Sequence, residues 1–121
     1  MGKFWIRETA SGIKFDLLAA NGQVILSSEV YNSRAAALKG IASMRLIAPG
    51  AGVENQTEEN CRRLAHPKFE LYRDRAGAYR FRLKARNGKI VGISESYATK
   101  NGAQNGIESV KINAAEAETE E

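Results

Sequence analysis

The strongest constraint on this chain is that it repeats itself. Lys3-Phe4 recurs as Lys68-Phe69 and Gly12 as Gly77, and after a one-residue gap Phe15 falls on Phe81. The offset of 66 residues then holds. It pairs Leu17 with Leu83, Asn21-Gly22 with Asn87-Gly88, Ser28-Glu29 with Ser94-Glu95 and Tyr31 with Tyr97, and it continues through Gly40-Ile41 and Gly106-Ile107 to Ala48 and Ala114. Matches held in register over such a length mark a duplicated structural unit. A residue kept in both copies is expected to serve the shared fold, and one present in a single copy is freer to serve function.

Each copy reads as three strands and a helix. Phe4 and Ile6 alternate with Trp5 and Arg7, and Phe69 and Leu71 with Glu70 and Tyr72, the period of a strand with two unlike faces. A second strand places Phe15, Leu17 and Ala19, or Phe81, Leu83 and Ala85, on one face. Asn21-Gly22 and Asn87-Gly88 then predict type I′ hairpin turns, and third strands follow over 23–28 and 89–94. Ser33 and Thr99 are suited to cap helices whose inner faces carry Ala37, Gly40, Ile41 and Met44, or Ala103, Gly106, Ile107 and Val110. Asn101, Gly102, Asn105 and Gly106 weaken the second helix, each glycine by about 1 kcal/mol relative to alanine, so packing must hold it. The repeated mid-helix glycine implies close approach of another element. Short fourth strands are expected within 50–55 and after Ala114, and residues 57–67 form a linker with a helical turn before Pro67.

The chain has 121 residues, enough for one domain with a core of its own. We read it as a single domain over 1–121, with repeat 1 at 3–56 and repeat 2 at 68–119. No apolar run is long enough to span a bilayer, and the opening residues lack the pattern of a secretory signal. A lone cysteine excludes an internal disulfide. These features predict a cytoplasmic protein, and they make the sequon Asn55-Gln56-Thr57 accidental.

At this point the segments Lys-Phe-Glu-Leu-Tyr-Arg-Asp, Tyr-Arg-Phe-Arg-Leu-Lys-Ala-Arg-Asn-Gly and Asn-Gly-Ile-Glu-Ser-Val-Lys can be considered together. They resemble the YegP-like family of bacterial proteins, closely over 68–113 and more loosely over 3–48, where Trp5, Asp16 and Leu18 depart from the polar or basic choices. The resemblance implies an α+β fold of tandem β3-α-β repeats that form one continuous antiparallel sheet. Terminal strands would be exchanged between repeats and both helices would pack on one face. Single-repeat relatives would build the same sheet from two chains. No activity comes with the resemblance.

Few residues suit catalysis. His66 is the only histidine and Cys61 the only cysteine, both in the linker. A zinc site needs about four such ligands, and a Cys-His pair needs a rigid scaffold, so no catalytic residue, metal or cofactor is expected. Glu29 and Glu95 recur in both copies and are read as partners of backbone amides at the strand-to-helix turns. Pro49-Gly50-Ala51-Gly52 lacks the lysine and third glycine of a phosphate loop and reads as a helix stop and turn.

Charge is less evenly spread than the net +4 suggests. Eight bases and two acids fall between Lys68 and Lys89, while Glu54, Glu58 and Glu59 make an acidic middle, and Glu116, Glu118, Glu120 and Glu121 an acidic tail that could fold over the bases. Arg80, Arg82, Lys84 and Arg86 alternate strictly, and only in repeat 2. With helices covering the Phe81 side, they look outward beside Tyr72, as do Trp5, Arg7, Leu18 and Ile25 in repeat 1. That face suits a protein-interaction or accessory role, with an unidentified protein partner and a monomer preferred over a homodimer. Weak binding of single-stranded nucleic acid through the basic hairpin is the alternative, and a small hydrolase built on His66 or Cys61 ranks last.

Overall fold

The computed structural model describes residues 2–120. In chain order it contains β1 (Lys3–Thr9), β2 (Gly12–Leu18), β3 (Val24–Ser28), α1 (Arg34–Ile47), a 3-10 turn (Ala48–Gly50), β4 (Gly52–Asn55), β5 (Lys68–Arg73), β6 (Tyr79–Lys84), β7 (Ile90–Ile93), α2 (Lys100–Glu116) and β8 (Glu118–Glu120). The strands form one eight-stranded sheet in the order β4-β5-β6-β7-β3-β2-β1-β8. Each repeat gives its last strand to the other: β4 pairs with β5, and β8 with β1. The sheet is antiparallel except at these two edge pairs, which are parallel. A strand that leaves a helix packed on one face returns in the direction of the first strand of its neighbour.

The centre carries a local two-fold. Strands β3 and β7 pair only through Ser27 with Ile93 and Ser28 with Gly92, and Ser27 and Ile93 are equivalents at the offset of 66. A carbon added to Gly92 would lie 2.8 Å from Leu26 Cγ and 3.2 Å from Met44 Cε. Gly92 is the equivalent of Leu26, so one leucine fills the space that two would contest.

Alternation decides which side chains reach the helices. Phe4, Phe15, Phe69 and Phe81 are fully buried, as are Leu17, Leu71 and Leu83; each such burial is worth about 1.5–3 kcal/mol. Phe4 meets Phe15 edge-on at 5.8 Å, and Phe69 meets Phe81 at 6.1 Å. Tyr31 stacks on Phe15 and Tyr97 on Phe81 at 6.0 and 6.1 Å. Those tyrosines explain the mid-helix glycines. A carbon on Gly40 would strike the Tyr31 hydroxyl, and one on Gly106 would lie 2.5 Å from Tyr97 Oη. The helix α2, poor in intrinsic propensity, is held by burial of Ala103, Gly106, Ile107, Val110 and Ala114. Both caps form: the Ala36 amide donates to Ser33 Oγ at 3.1 Å and the Gly102 amide to Thr99 Oγ1 at 3.0 Å.

Several expectations are corrected by the structure. The hairpin turns are not type I′, because among the described residues no non-glycine has positive φ, whereas Gly22 and Gly88 lie at 84° and 80°. The Gly22 amide closes a turn on the Ala19 carbonyl and Gly88 one on Ala85, both at 2.9 Å. The extra residue is taken up as a register shift after Leu17 and after Leu83. Asn21 and Asn87 contribute through side-chain oxygens that accept from the Gln23 and Lys89 amides, so neither needs a left-handed backbone.

Arg86 consequently lies in the turn, beyond the end of β6 at Lys84. Ile25 is only 6% exposed, because it is the residue skipped at the register shift between β2 and β3 and so joins the core cluster, as its equivalent Val91 does between β6 and β7. Residues 57–67 contain turns but no helix. The described part of the acidic tail does not reach the bases: it forms β8 at the opposite edge from β5 and β6.

Candidate functional site: the sheet face opposite the helices

The paired registers place one residue from every strand in a single row across the uncovered face. In sheet order these are Glu54, Glu70, Arg82, Ile93, Ser27, Asp16, Trp5 and Glu120. The two halves of this row differ in chemistry and in cover.

In the repeat 2 half, charges are buried and mutually neutralised. Lys68 Nζ lies 2.6 Å from Glu54 Oε1 and 3.2 Å from Glu70 Oε2. Glu70 also receives Arg82 at 2.6 Å and Lys84 at 3.3 Å. Hydrogen bonds from Lys68, Gln56 and the Leu64 amide hold the Glu54 carboxyl down to about 2. The Lys68 ammonium is raised by its bond to Glu54. Burial pushes Glu70 up, but the bonds from Arg82 and Lys68 outweigh it and leave its pKa lowered.

The linker provides the cover. Leaving β4 and returning to the parallel β5, it must run back along the strands, and it does so over this face. The Leu64 amide donates to Glu54 Oε1 at 2.8 Å, Leu64 Cδ1 packs over Gly52, and the His66 ring sits beside Gly88. Cys61 and His66 belong to this strap, and among the described residues no group of three or more His, Cys, Asp or Glu side chains could hold a metal.

In the repeat 1 half the positions of Lys68, Glu54 and Glu70 are open, while that of Arg82 is buried as Asp16. Lys3 and Glu120, the equivalents of Lys68 and Glu54, are 2.8 Å apart with side chains 47% and 58% exposed, against 7% and 4%. Trp5 stands where repeat 2 has Glu70 and is 43% exposed, against 3%. Asp16 takes the place of Arg82, receiving Arg7 at 2.8 Å and the Ser27 hydroxyl at 2.8 Å. Leu18, the equivalent of Lys84, is half-buried.

The outward bases of the second hairpin are therefore largely occupied. Arg80 binds Asp74 at 2.9 Å and the Ser94 carbonyl at 3.3 Å. Arg82 and Lys84 hold Glu70, and the Arg82 guanidinium also lies 4.5 Å over the Tyr72 ring. Sequence reasoning singled out these bases but not the carboxylates beneath them. The alternation of Lys68 with Phe69 placed Lys68 and Glu70 on one face, whereas the meeting with Glu54 depends on the exchanged parallel strand.

The recurrent Glu29 and Glu95 also need correcting, since both carboxylates are exposed. The amide role belongs to the preceding serines. Ser28 Oγ accepts from the Phe15 amide and donates to the Glu29 carbonyl, at 2.9 and 2.7 Å; Ser94 does the same for Phe81 and Glu95 at the same distances.

Two β3-α-β units with exchanged edge strands and both helices on one face define a duplicated α+β domain. Residues 9–55 and 74–121 each match a family described as a domain of unknown function (DUF1508). The chain belongs to this family, the YegP-like UPF0339 proteins of bacteria. It is 39% identical over 115 residues to the UPF0339 protein YegP of Yersinia pestis, covering 93% of this chain and 88% of that one. With a UPF0339 protein of Mannheimia succiniciproducens it shares 45% identity over 101 residues, covering 84% and 76%. The solution NMR structure of Escherichia coli YegP, a protein of unknown function, superposes with a TM-score of 0.79 at 35% identity over 98% of this chain and 90% of that one. A UPF0339 protein of Shewanella oneidensis superposes at 0.80 with 28% identity over 98% and 89%.

Proposed function

We propose that this chain is a non-enzymatic protein-interaction or accessory module whose contact surface is the repeat 1 half of the uncovered sheet face, centred on Trp5. The whole of 1–121 acts as one unit in this reading, with repeats 3–56 and 68–119 joined by 57–67, and it works in the cytosol. The observation that carries the proposal is the asymmetry of one position. Repeat 2 buries a charge there among Lys68, Arg82 and Lys84, and repeat 1 exposes the chain's only tryptophan. Exposed aromatics flanked by polar groups are the usual anchors of protein interfaces. Arg7 and Leu18 extend the same half of the face, whereas Tyr72, on β5 beneath Arg82, is separated from β1 by four strands and lies outside it.

Light scattering of the purified chain, repeated on Trp5→Ala, tests self-association, and Trp5 fluorescence in the presence of cell lysate tests engagement of other proteins. A strict monomer whose tryptophan emission is indifferent to lysate would argue against the proposal. Nucleic-acid binding is less well supported, since Arg80, Arg82 and Lys84 are engaged by Asp74 and Glu70.

A further inference from the structure

The protein contains its own example of a ligand for this face. Over repeat 2, an extended segment presents a backbone amide to the carboxylate of Glu54 and a leucine side chain to Gly52, and it sets His66 against the turn glycine Gly88. Over repeat 1 the matching carboxylate is Glu120, held by Lys3 as Glu54 is held by Lys68. The matching turn glycine is Gly22, where an added carbon would meet nothing within 4 Å. A recess of about 380 Å³ lined by Gly2, Lys3, Glu118, Thr119 and Glu120 lies at the same margin.

From this correspondence we infer that the Trp5 face binds an extended peptide segment of another polypeptide, laid as residues 61–66 lie over repeat 2. This rests on the interaction reading above and names its ligand. The segment carries an aliphatic side chain and a free backbone amide directed at Glu120. It is basic on the amino-terminal side of that aliphatic residue, as Arg62-Arg63 precede Leu64. Charge favours this choice: Glu116, Glu118 and Glu120 are all exposed along the margin. The departures of repeat 1 from repeat 2 fit the same ligand. With Trp5 in place of Glu70 and Leu18 in place of Lys84, the floor that is ionic under the covalent strap gains apolar surface around the Arg7–Asp16 pair, which suits a partner that must gain its affinity from burial rather than from tethering.

The probe is a capped synthetic peptide of residues 60–67, Asn-Cys-Arg-Arg-Leu-Ala-His-Pro, titrated into the full chain. Heteronuclear NMR shifts and the emission of the single tryptophan are followed. We expect saturable binding with shifts confined to Lys3, Trp5, Leu18, Gly22 and residues 118–120. Glu120→Lys should weaken it by about tenfold or more, and a scrambled peptide should not bind. Trp5 and Glu120 are exposed, so Trp5→Ala and Glu120→Lys leave the core untouched. Absence of saturation up to millimolar peptide, shifts spread over the helices, or indifference to Glu120→Lys would overturn the inference. If the peptide does not bind while light scattering shows Trp5-dependent self-association, a second copy is the occupant. In that case the peptide inference fails and the interaction reading stands.

Discussion

Lys68 and Glu54 meet at 2.6 Å with both side chains almost wholly buried, although fourteen residues and a change of repeat separate them. Their counterparts Lys3 and Glu120 meet at 2.8 Å in the open. The same pair thus exists in a covered and an uncovered form within one molecule, and the contrast can be tested.

The covered pair makes stability depend on pH at both extremes. Glu54 titrates at about 2 in the folded chain against an ordinary 4.5. Its contribution is complete above 4.5 and disappears as pH falls toward about 2. Lys68 is raised above its ordinary 10.5, so its contribution is complete below 10.5 and lost as pH climbs through the raised value. Urea midpoints measured against pH should fall at both ends, and Glu54→Gln should flatten the acid limb. Lys68→Met leaves the buried Glu54 without its cation, while Glu70 keeps Arg82 and Lys84, and should cost about 3–5 kcal/mol at neutral pH.

Replacing the repeated glycines should destabilise despite the better helix former. Gly40→Ala and Gly106→Ala each gain about 1 kcal/mol of propensity, but the added methyl meets a stacked Tyr-Phe pair, an overpacking cost of about 1–3 kcal/mol. Because the nearest atom is the tyrosine hydroxyl, Tyr31→Phe should rescue part of the loss in Gly40→Ala. Additive denaturation energies for that pair would refute the steric explanation.

The two serines should behave alike. Ser28→Ala and Ser94→Ala each leave a buried phenylalanine amide without its acceptor, at a cost of about 1–3 kcal/mol. A large difference between them in chemical denaturation would mean that the repeats are not equivalent at this turn.

Reversing Arg82 should act on folding rather than on binding. Arg82→Glu sets a second acid beside the buried Glu70 and should cost about 2 kcal/mol or more. Fluorescence anisotropy with single-stranded DNA at low salt should show little binding by the unmodified chain. Tight association that falls steeply with salt would instead revive the nucleic-acid reading.

Much of this architecture was legible from local pattern. Phe15 and Phe81 alternate with polar neighbours because the pleat gives successive residues opposite faces, and a repeat at fixed offset forces two equivalent units. Ser33 and Thr99 could be recognised as caps because a cap needs only its own next three residues. The turn type was misread because Asn-Gly is compatible with two hairpin geometries, and strand registry selects between them. The burial of Ile25 was missed because strict alternation puts it outward, whereas the bulge between β2 and β3 breaks that alternation.

The amino-acid sequence by itself determined the faces of the strands and the caps, because each depends on spacings within about one helical turn or one strand, and the duplication and the repeated mid-helix glycines, because two copies of one pattern can be compared directly. The exchange of β4 and β8 was expected from the family resemblance alone; only the tertiary structure decided that these edge pairs are parallel, that Glu54, Lys68 and Glu70 form a buried ionic cluster, and that the strap lies over Gly52 and Glu54 while Trp5 remains open in the other half. Those outcomes depend on which distant segments come to lie side by side, and periodicity specifies the face of a strand without specifying its neighbour.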